Sequence, residues 1–219
     1  MTIKELISNE FPVLSMEDSG EKALRLMDEF RVFHLPLTQR DSYIALVSED
    51  DLLDWDTPEE PLGLAEFLKF RPAVMGTRHP YEAVKLVRDH NLSVIPVIDE
   101  HHHYQGVVTS SELFAFLADH QGIRTEGSVF SLEMETRNYS ASEIARICES
   151  NNCAILNMSV QNLEGLQLRV TIKVNQSDST ALIATFKRYD YTVTEVFSVN
   201  QQEDDMQHNY QMLMHYMNL

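Results

Sequence analysis

The chain has 219 residues, 43% of them hydrophobic, and a formal net charge of −17. This length allows one or two domains with real cores, and the composition is that of a globular protein. Acidic residues outnumber basic ones by 22 to 10 over residues 1–122 and by 12 to 7 over the remainder. Neither half offers the basic surface that binds phosphate backbones or anionic lipids, so we expect neither nucleic acid nor a membrane as a partner.

The sequence also indicates a cellular compartment. No apolar run approaches the roughly 20 residues that span a bilayer, and the first residues, MTIKELISNEF, lack the basic start and apolar middle of a signal peptide. We therefore expect a cytoplasmic location. The two cysteines, Cys148 and Cys153, agree with a reducing compartment. We interpret them as small buried hydrophobes, with a disulfide or a metal pair as the alternative.

One passage of the sequence occurs twice. Residues 36–52 (PLTQRDSYIALVSEDDL) correspond to residues 96–113 (PVIDEHHHYQGVVTSSEL). Upstream of this passage the match continues at a spacing of sixty residues, which pairs Ala23 with Ala83; beyond the turn the spacing grows by one, which pairs Asp51 with Glu112. A spacing held over this length indicates an internal duplication.

Both copies change their hydrophobic periodicity in the same order. Apolar residues at helical spacing lead into a short apolar strand, and a polar turn, a second strand and a short helix beginning at Ser48 or Thr109 follow. The predicted strands are Phe33–Leu37, Tyr43–Val47, Val94–Ile98 and Gly106–Val108. We therefore predict a β-α-β-β-α unit in residues 1–60 and again in residues 61–122. The two would pack together because one alone has too little interior.

The pattern differs after residue 122. The predicted elements are a strand at Val129–Glu135, a helix at Ser140–Glu149, strands at Ala154–Val160 and Leu166–Val174, a helix at Ser177–Arg188 and a strand at Tyr191–Val199. This βαββαβ order predicts a ferredoxin-like domain over residues 128–199, so the whole chain is predicted to be α+β. Residues 200–219 are predicted to form an amphipathic tail helix, which packs on its own protein or a dimer mate or, alternatively, docks another partner.

The repeated motifs resemble those of a known family. Each copy has a Pro-aliphatic step, Leu35-Pro36-Leu37 or Ile95-Pro96-Val97, and a closing strand-to-helix turn, Ala45–Asp51 or Gly106–Glu112. On these motifs, residues 1–120 resemble a tandem of cystathionine-beta-synthase (CBS) domains. Residues 128–199 are similar in element order to an ACT domain, and the combination resembles the accessory proteins of acetoin utilisation.

The resemblance implies a non-catalytic regulatory protein that binds AMP, ATP or S-adenosylmethionine in clefts between the repeats. Such a protein would need no cofactor and would signal as a homodimer or through a regulated protein partner. Free N–H groups at Ser48 or Thr109 would hold phosphate, and the carboxylate three residues later would accept the ribose hydroxyls. The implied ligand-binding residues are Phe33, His34, Pro36, Ser48, Asp51, Thr77, Arg78, Val94, Pro96, Thr109 and Glu112.

The two turns differ, and each also has a purely structural interpretation. Repeat one surrounds Asp51 with Glu49 and Asp50, which disfavours a polyphosphate and favours a cationic or weakly charged adenosyl ligand. Repeat two has a less acidic turn, for which we expect Arg78 to be near, but Glu112 stands where the family has aspartate. Both turns equally fit helix capping boxes, which need no ligand. A structural interaction module without a small-molecule ligand is therefore the alternative function.

Catalytic motifs are lacking. The sequence contains no G-x-S-x-G, no G-x-x-x-x-G-K-[ST], no H-E-x-x-H and no G-x-G-x-x-G motif. The run His101–His103 could in principle capture a metal, but neighbouring side chains in an extended segment point to opposite sides. We expect a solvated turn there, no metal site and no enzyme.

Overall fold

The structure is a computed structural model that describes residues 1–8 and 11–198. Backbone contacts divide the chain into two compact units, one formed by Met1–Leu117 and the other beginning at Ala118. Among the described residues, no helix is both long enough and apolar enough to cross a bilayer.

The first unit contains the duplicated elements, the last of which ends three residues beyond it. They are β1 (Leu14–Ser15), α1 (Gly20–Phe30), β2 (His34–Gln39), β3 (Ser42–Ser48), α2 (Glu49–Leu53), β4 (Val74–Met75), α3 (Pro80–His90), β5 (Val94–Ile98), β6 (Tyr104–Thr109) and α4 (Ser110–His120). Single 3₁₀ turns lie at Ile3–Leu6 and Leu62–Leu64. The predicted β-α-β-β-α order is thus observed in both copies.

Equivalent residues begin and end the first helix of each copy. Helices α1 and α3 each have eleven residues and start sixty positions apart. Ser19 and His79 cap their first turns by accepting backbone N–H bonds from the residues that follow. Arg31 and Asn91 end them in the left-handed conformation, with φ of 54° and 52°. The duplication therefore extends to the backbone conformation.

Each copy forms its own three-stranded sheet, in the order β1-β2-β3 or β4-β5-β6. In both sheets the first pair of strands is parallel and the second is antiparallel. The side chains of both sheets nevertheless belong to one continuous core, in which Leu35 and Val47 of the first copy join Ile95 and Val108 of the second. All four are fully buried. A sheet this small would leave one face in water by itself, so the two copies stabilise each other.

The second unit is a four-stranded antiparallel sheet with two helices. Its elements are β7 (Val129–Glu135), α5 (Ala141–Ser150), β8 (Ile155–Asn162), β9 (Gln167–Val174), α6 (Thr180–Arg188) and β10 (Thr192–Phe197), with a 3₁₀ turn at Thr136–Asn138. The strand order is β10-β7-β9-β8. This is the ferredoxin-like topology that the sequence predicts. The end of the predicted last strand at Val199 and the predicted tail helix lie outside the described residues.

One core joins the sheet and both helices of this unit. Phe130 and Leu132 of β7 pack with Ile144 of α5 and Phe186 of α6. Alternate residues of β9 also face this core, since its burial follows a strict period of two. Both helices therefore cover the same face of the sheet.

Both cysteines are buried in this core and neither forms a disulfide. Burial raises the pKa of the Cys148 thiol to about 12, and neighbouring Cys153 and Glu149 contribute to this rise. The two residues therefore act as small apolar side chains, in agreement with the first interpretation from the sequence.

The loop before β7 provides a test of the fold of the second unit. Gly127 has a φ of +155°, and a Cβ there would overlap the carbonyl oxygen of Val174. We expect Gly127→Ala to lower the free energy of unfolding by about 2 kcal/mol or more, because the backbone must move. Gly165 also has a positive φ, but no atom lies within 4 Å of the place that an added methyl group would take. Gly165→Ala should cost about 1 kcal/mol. Urea unfolding followed by circular dichroism measures both, and equal losses would contradict the steric explanation.

Candidate ligand-binding site

The central strands of the two copies are held together at both ends. At one end, the backbone N–H of Phe33 donates to Oγ of Ser93 over 3.0 Å. At the other end, Tyr43 N–H donates to the carbonyl of His102 over 3.2 Å, and Tyr104 N–H donates to the carbonyl of Asp41 over 2.8 Å. Equivalent residues of the two copies therefore meet near both ends of β2 and β5, which is the arrangement expected about an approximate two-fold axis. The end at Phe33 and Ser93 is the candidate site.

His34 is fixed at this end by Ser93. The backbone N–H of Ser93 donates to Nδ1 of His34 over 3.3 Å, and Oγ of Ser93 lies 3.1 Å from the same nitrogen. Nδ1 is thus an acceptor, so the proton of the neutral ring is on Nε2. Burial lowers the pKa of His34, and the negative charges of Asp50 and Asp51 oppose this effect only in part. The imidazole is therefore held in its neutral form.

The strand-to-helix turn of repeat one lies beside His34. Ser48 is paired with His34 across β2 and β3, and Glu49 N–H donates to the carbonyl of Phe33 over 2.9 Å. The Ser48 hydroxyl accepts the N–H of Asp51 over 3.1 Å and donates to Oδ2 of Asp51 over 2.6 Å. Among the described residues, no group donates to the second carboxylate oxygen of Asp51. The half-buried carboxylate is thus oriented and keeps one oxygen for a further donor.

The turn of repeat two uses its carboxylate differently. Thr109 is paired with Val94, and its hydroxyl accepts the N–H of Glu112 over 3.1 Å. Oε2 of Glu112 in turn accepts the N–H and the hydroxyl of Thr109, over 2.7 Å and 3.0 Å. This is a complete capping box. The extra methylene lets Glu112 reach the backbone N–H, whereas the shorter Asp51 reaches only the hydroxyl of its own cap.

The remaining candidate residues at this end differ in exposure. The Phe33 side chain is 62% exposed and Val94 has no exposed surface. Pro36 and Pro96 are also buried within their strands. These three side chains are packed inside the unit in this conformation, and the predicted contact of Val94 with a base and of the two prolines with a ligand stays a prediction. Of these candidates, Phe33 is the one that offers an exposed aromatic ring.

Thr77 and Arg78 lie at the opposite end of the second sheet. Strand β4 pairs with β5 so that Met75 is beside Ile98, and the chain then continues past this end of the strand. The turn Thr109–Glu112 follows the other end. About 13 Å of extended strand separates the two ends. The expected positions of Thr77 in the same cleft and of Arg78 near this turn are therefore wrong, because the parallel pairing of β4 and β5 carries them away.

The connecting segment before β4 supplies groups that the sequence analysis missed. Its Phe70 carbonyl accepts the N–H of Leu46 over 3.0 Å, and its Pro72 carbonyl accepts the hydroxyl of Tyr43 over 2.9 Å. Arg71 between them lies near enough to Tyr43 to lower the phenol pKa, although burial raises that pKa overall. This segment thus lies against β3 and places Arg71 near Tyr43. The sequence gives little indication of these contacts, because Phe70–Pro72 lies outside any helix or strand.

The three histidines occupy the exposed tip of the β5–β6 hairpin. Oδ1 of Asp99 accepts the backbone N–H groups of His101 and His103, each over 2.8 Å. Oδ2 of Asp99 lies 3.0 Å from Nδ1 of His103. In the part of the chain that the structure describes, no cluster of three or more metal-ligating side chains is arranged to hold an ion.

Family comparison agrees with the duplicated architecture. Residues 3–57 and 75–119 match the CBS domain family model. The first unit is therefore a tandem pair of CBS domains. No protein of established function in a search of curated sequences matches the chain.

Solved structures with a similar fold include three of interest. A CBS domain pair/ACT domain protein from Thermotoga maritima is 20% identical, with a TM-score of 0.47 over 54% of this chain and 98% of that one. CBSX2, a CBS-pair protein from Arabidopsis thaliana, was solved in complex with AMP; it is 20% identical, with a TM-score of 0.46 over 54% and 96%. A putative acetoin utilization protein, AcuB, from Vibrio cholerae is 18% identical, with a TM-score of 0.48 over 54% and 91%.

The neutral state of His34 predicts a pH dependence. Its pKa in the folded protein lies below the ordinary value of 6.5, so the unfolded chain takes up a proton first as the pH falls. The contribution of neutral His34 to the free energy of unfolding is therefore fully present above about pH 6.5, and it is lost as the pH falls towards the pKa of the folded state. We expect His34→Asn, whose amide oxygen can replace Nδ1 as acceptor, to lose less stability than the wild type between about pH 7.5 and 5. Chemical denaturation at each pH measures this difference.

The exposed residue His102 provides the matched control. It has a left-handed backbone with a φ of 63°, which asparagine tolerates well. His102→Asn should therefore follow the wild-type pH profile. If His34→Asn follows that profile too, His34 is not held neutral by burial.

Proposed function

We propose that this protein is a non-catalytic regulatory protein whose CBS pair binds an adenosine-containing ligand at the Phe33 end of the repeats. CBS pairs as a class are regulatory modules and often bind adenosine ligands, as AMP in the CBSX2 complex exemplifies. The candidates are AMP, ATP and S-adenosylmethionine. No cofactor is required for this role.

The observation that carries the proposal is the state of Asp51. Ser48 orients its carboxylate from one side, and no described group donates to the other oxygen. The same turn is tied to Phe33, whose ring is exposed, by the bond from Glu49 N–H to the Phe33 carbonyl. A ribose diol presents two O–H donors to such an acceptor, and hydrogen bonds to a charged group are worth about 1.5–3 kcal/mol each. The ring of Phe33 supplies an aromatic surface for a base. Repeat one thus has both parts of a nucleoside site.

The charge of this turn selects among the candidate ligands. Glu49, Asp50 and Asp51 lie in one turn, and the helix α2 that they begin has only five residues. So short a helix contributes little dipole to offset three carboxylates. S-adenosylmethionine, with its sulfonium cation, should therefore bind repeat one more tightly than AMP, and AMP more tightly than ATP.

Repeat two is the weaker candidate. Oε2 of Glu112 accepts two bonds from Thr109, which hold the carboxylate in the cap, and both would be lost if the carboxylate turned towards a ribose. A ligand there must also compensate for the broken cap, which is worth about 1 kcal/mol. The two clefts are thus proposed to bind unequally.

Regulation requires that the ligand bind two arrangements of the protein with different affinity. We propose that the signal passes to a homodimer mate or to a regulated protein partner in the cytoplasm. The ACT-like assignment of residues 128–199, the role of residues 200–219 and the likeness to acetoin-utilisation accessory proteins belong to this proposal. The ferredoxin-like topology of the second unit supports the ACT-like assignment.

Isothermal titration with AMP, ATP and S-adenosylmethionine tests the assignment. We expect Asp51→Ala to weaken binding about tenfold or more, because it removes the acceptor for both ribose hydroxyls. Glu112→Ala should weaken binding less, since its carboxylate is engaged in the cap. S-adenosylmethionine should bind most tightly, AMP less tightly and ATP least. Magnesium should reduce the difference in affinity between AMP and ATP.

Asp50→Ala is the matched control, since it removes the same charge from an exposed neighbour in the same turn. It should leave the affinity unchanged or raise it slightly for the nucleotides. Equal losses for Asp50→Ala and Asp51→Ala would mean that only net charge matters. Absence of heat and of a thermal shift with all three ligands, with and without magnesium, would refute the adenosyl assignment.

The closed cap of repeat two favours the second candidate function, a structural interaction module without a small-molecule ligand. The complete box of Thr109 and Glu112 and the buried Val94 leave this turn satisfied without a ligand. If all ligand tests fail, this interpretation predicts a homodimer or a partner complex that deletion of residues 200–219 disrupts. Analytical ultracentrifugation of the full and shortened chains measures the homodimer.

A further inference from the structure

A separate cavity lies in the first unit, at the end of β5 opposite the proposed adenosyl site. Its volume is about 300 Å³. The N-terminal segment forms one wall and the end of β4 and the β5–β6 hairpin form the others. Ligand pockets span roughly 300–1,000 Å³, so this cavity suits a molecule smaller than a nucleotide.

Apolar side chains and charges of both signs line the cavity. Ile7, Met75 and Ile98 supply the apolar surface. Three charged residues also line the cavity. Asp99 is bound to the N–H groups of His101 and His103, whereas Lys4 and Glu100 form no ion pair with each other or with any other described residue. A cation and an anion that face one small cavity without neutralising each other leave room for a group between them. The group that satisfies both is a zwitterion.

The backbone fixes the positions of both charged residues. Lys4 N–H donates to the carbonyl of Gly76 over 3.0 Å, which ties the N-terminal segment to the end of β4. On the other wall, Asp99 holds the hairpin turn through the N–H groups of His101 and His103. Although burial opposes it, these bonds keep the pKa of Asp99 low. Glu100 follows Asp99 directly, so it is carried on an ordered turn. The site is therefore largely formed before a ligand arrives.

We propose that this cavity binds a free aliphatic α-amino acid of about the size of leucine. Its carboxylate lies against Lys4 and its ammonium against Glu100. Its side chain is buried on Ile7, Met75 and Ile98. Thr77, which also lines the cavity, donates its hydroxyl proton to the carboxylate. This site is separate from the adenosyl site and would give the protein a second small-molecule input.

Titration calorimetry with three probes that share the isobutyl group of leucine tests the proposal. The probes are L-leucine, 4-methylpentanoate, which lacks the ammonium group, and 3-methylbutylamine, which lacks the carboxylate. We expect leucine to bind at one site per chain and the other two to bind about tenfold more weakly or worse, since each loses one charge-assisted contact. Absence of leucine binding at concentrations up to about 10 mM would overturn the proposal, as would equal affinity for all three probes.

Two variants identify the cavity. Lys4→Met should weaken leucine binding and also abolish the preference for leucine over 3-methylbutylamine, because the carboxylate has lost its partner. Glu100→Gln should instead abolish the preference for leucine over 4-methylpentanoate. Both residues are exposed, so neither change should affect folding. A loss that is the same for all three probes would show that the charges do not contact the ligand, and the proposal would fail.

Controls on similar exposed residues separate this site from general charge effects and from the adenosyl site. Lys85→Met and Glu29→Gln remove exposed charges from α3 and α1, and both should bind leucine as the wild type does. Asp51→Ala should also bind leucine normally while it loses adenosyl ligand. A leucine affinity that falls with Asp51→Ala would place the amino acid at the other end of the sheet and refute the cavity assignment.

Discussion

The shared core of the two CBS repeats is the constraint on which the rest of the first unit depends. Each three-stranded sheet contributes side chains to one apolar interior, and neither sheet could remove its apolar face from water alone. Packing about an approximate two-fold axis brings equivalent residues together at both ends of β2 and β5. The proposed ligand sites follow from this packing, because each lies where one end of these strands meets neighbouring chain.

A small side-chain difference gives the two equivalent turns different hydrogen bonds. The turns after β3 and β6 have the same geometry, and each is capped by a hydroxyl residue. One methylene decides whether the carboxylate of Asp51 or Glu112 reaches the backbone N–H of its cap. The longer side chain binds both the backbone N–H and the hydroxyl of its cap through one oxygen, whereas the shorter one is held by the hydroxyl alone, and each carboxylate has a second oxygen to which no described group donates. The duplicated fold therefore tolerates two different uses of the same turn.

The two proposed sites lie at opposite ends of one fully buried strand. All five residues of β5 are buried, so the strand is a stiff element of the core. Ser93 precedes the strand and contacts Phe33 and His34, while Ile98 at its other end lines the cavity near Lys4. Ligands at the two ends would bias the same packed element. Any coupling between them would be reciprocal, because linkage applies to both affinities.

The sequence by itself determined much about local structure. The sixty-residue spacing, the Pro-aliphatic steps and the capping residues predicted both repeats and their strand-to-helix turns, since caps and periodicity depend on near neighbours. The period-two strands and the two amphipathic helices likewise predicted the ferredoxin-like order of the second unit. Asp51 and Glu112 were distinguished on residue type alone.

Only the tertiary structure decided which residues meet. Parallel pairing of β4 with β5 carried Thr77 and Arg78 away from the turn at Thr109, and packing of the two sheets buried Val94 and the two prolines. The same packing brought Ser93 against His34 and placed Arg71 near Tyr43. These contacts join residues tens of positions apart. They follow from strand pairing and from the burial of two apolar faces against each other, which the local sequence pattern does not contain.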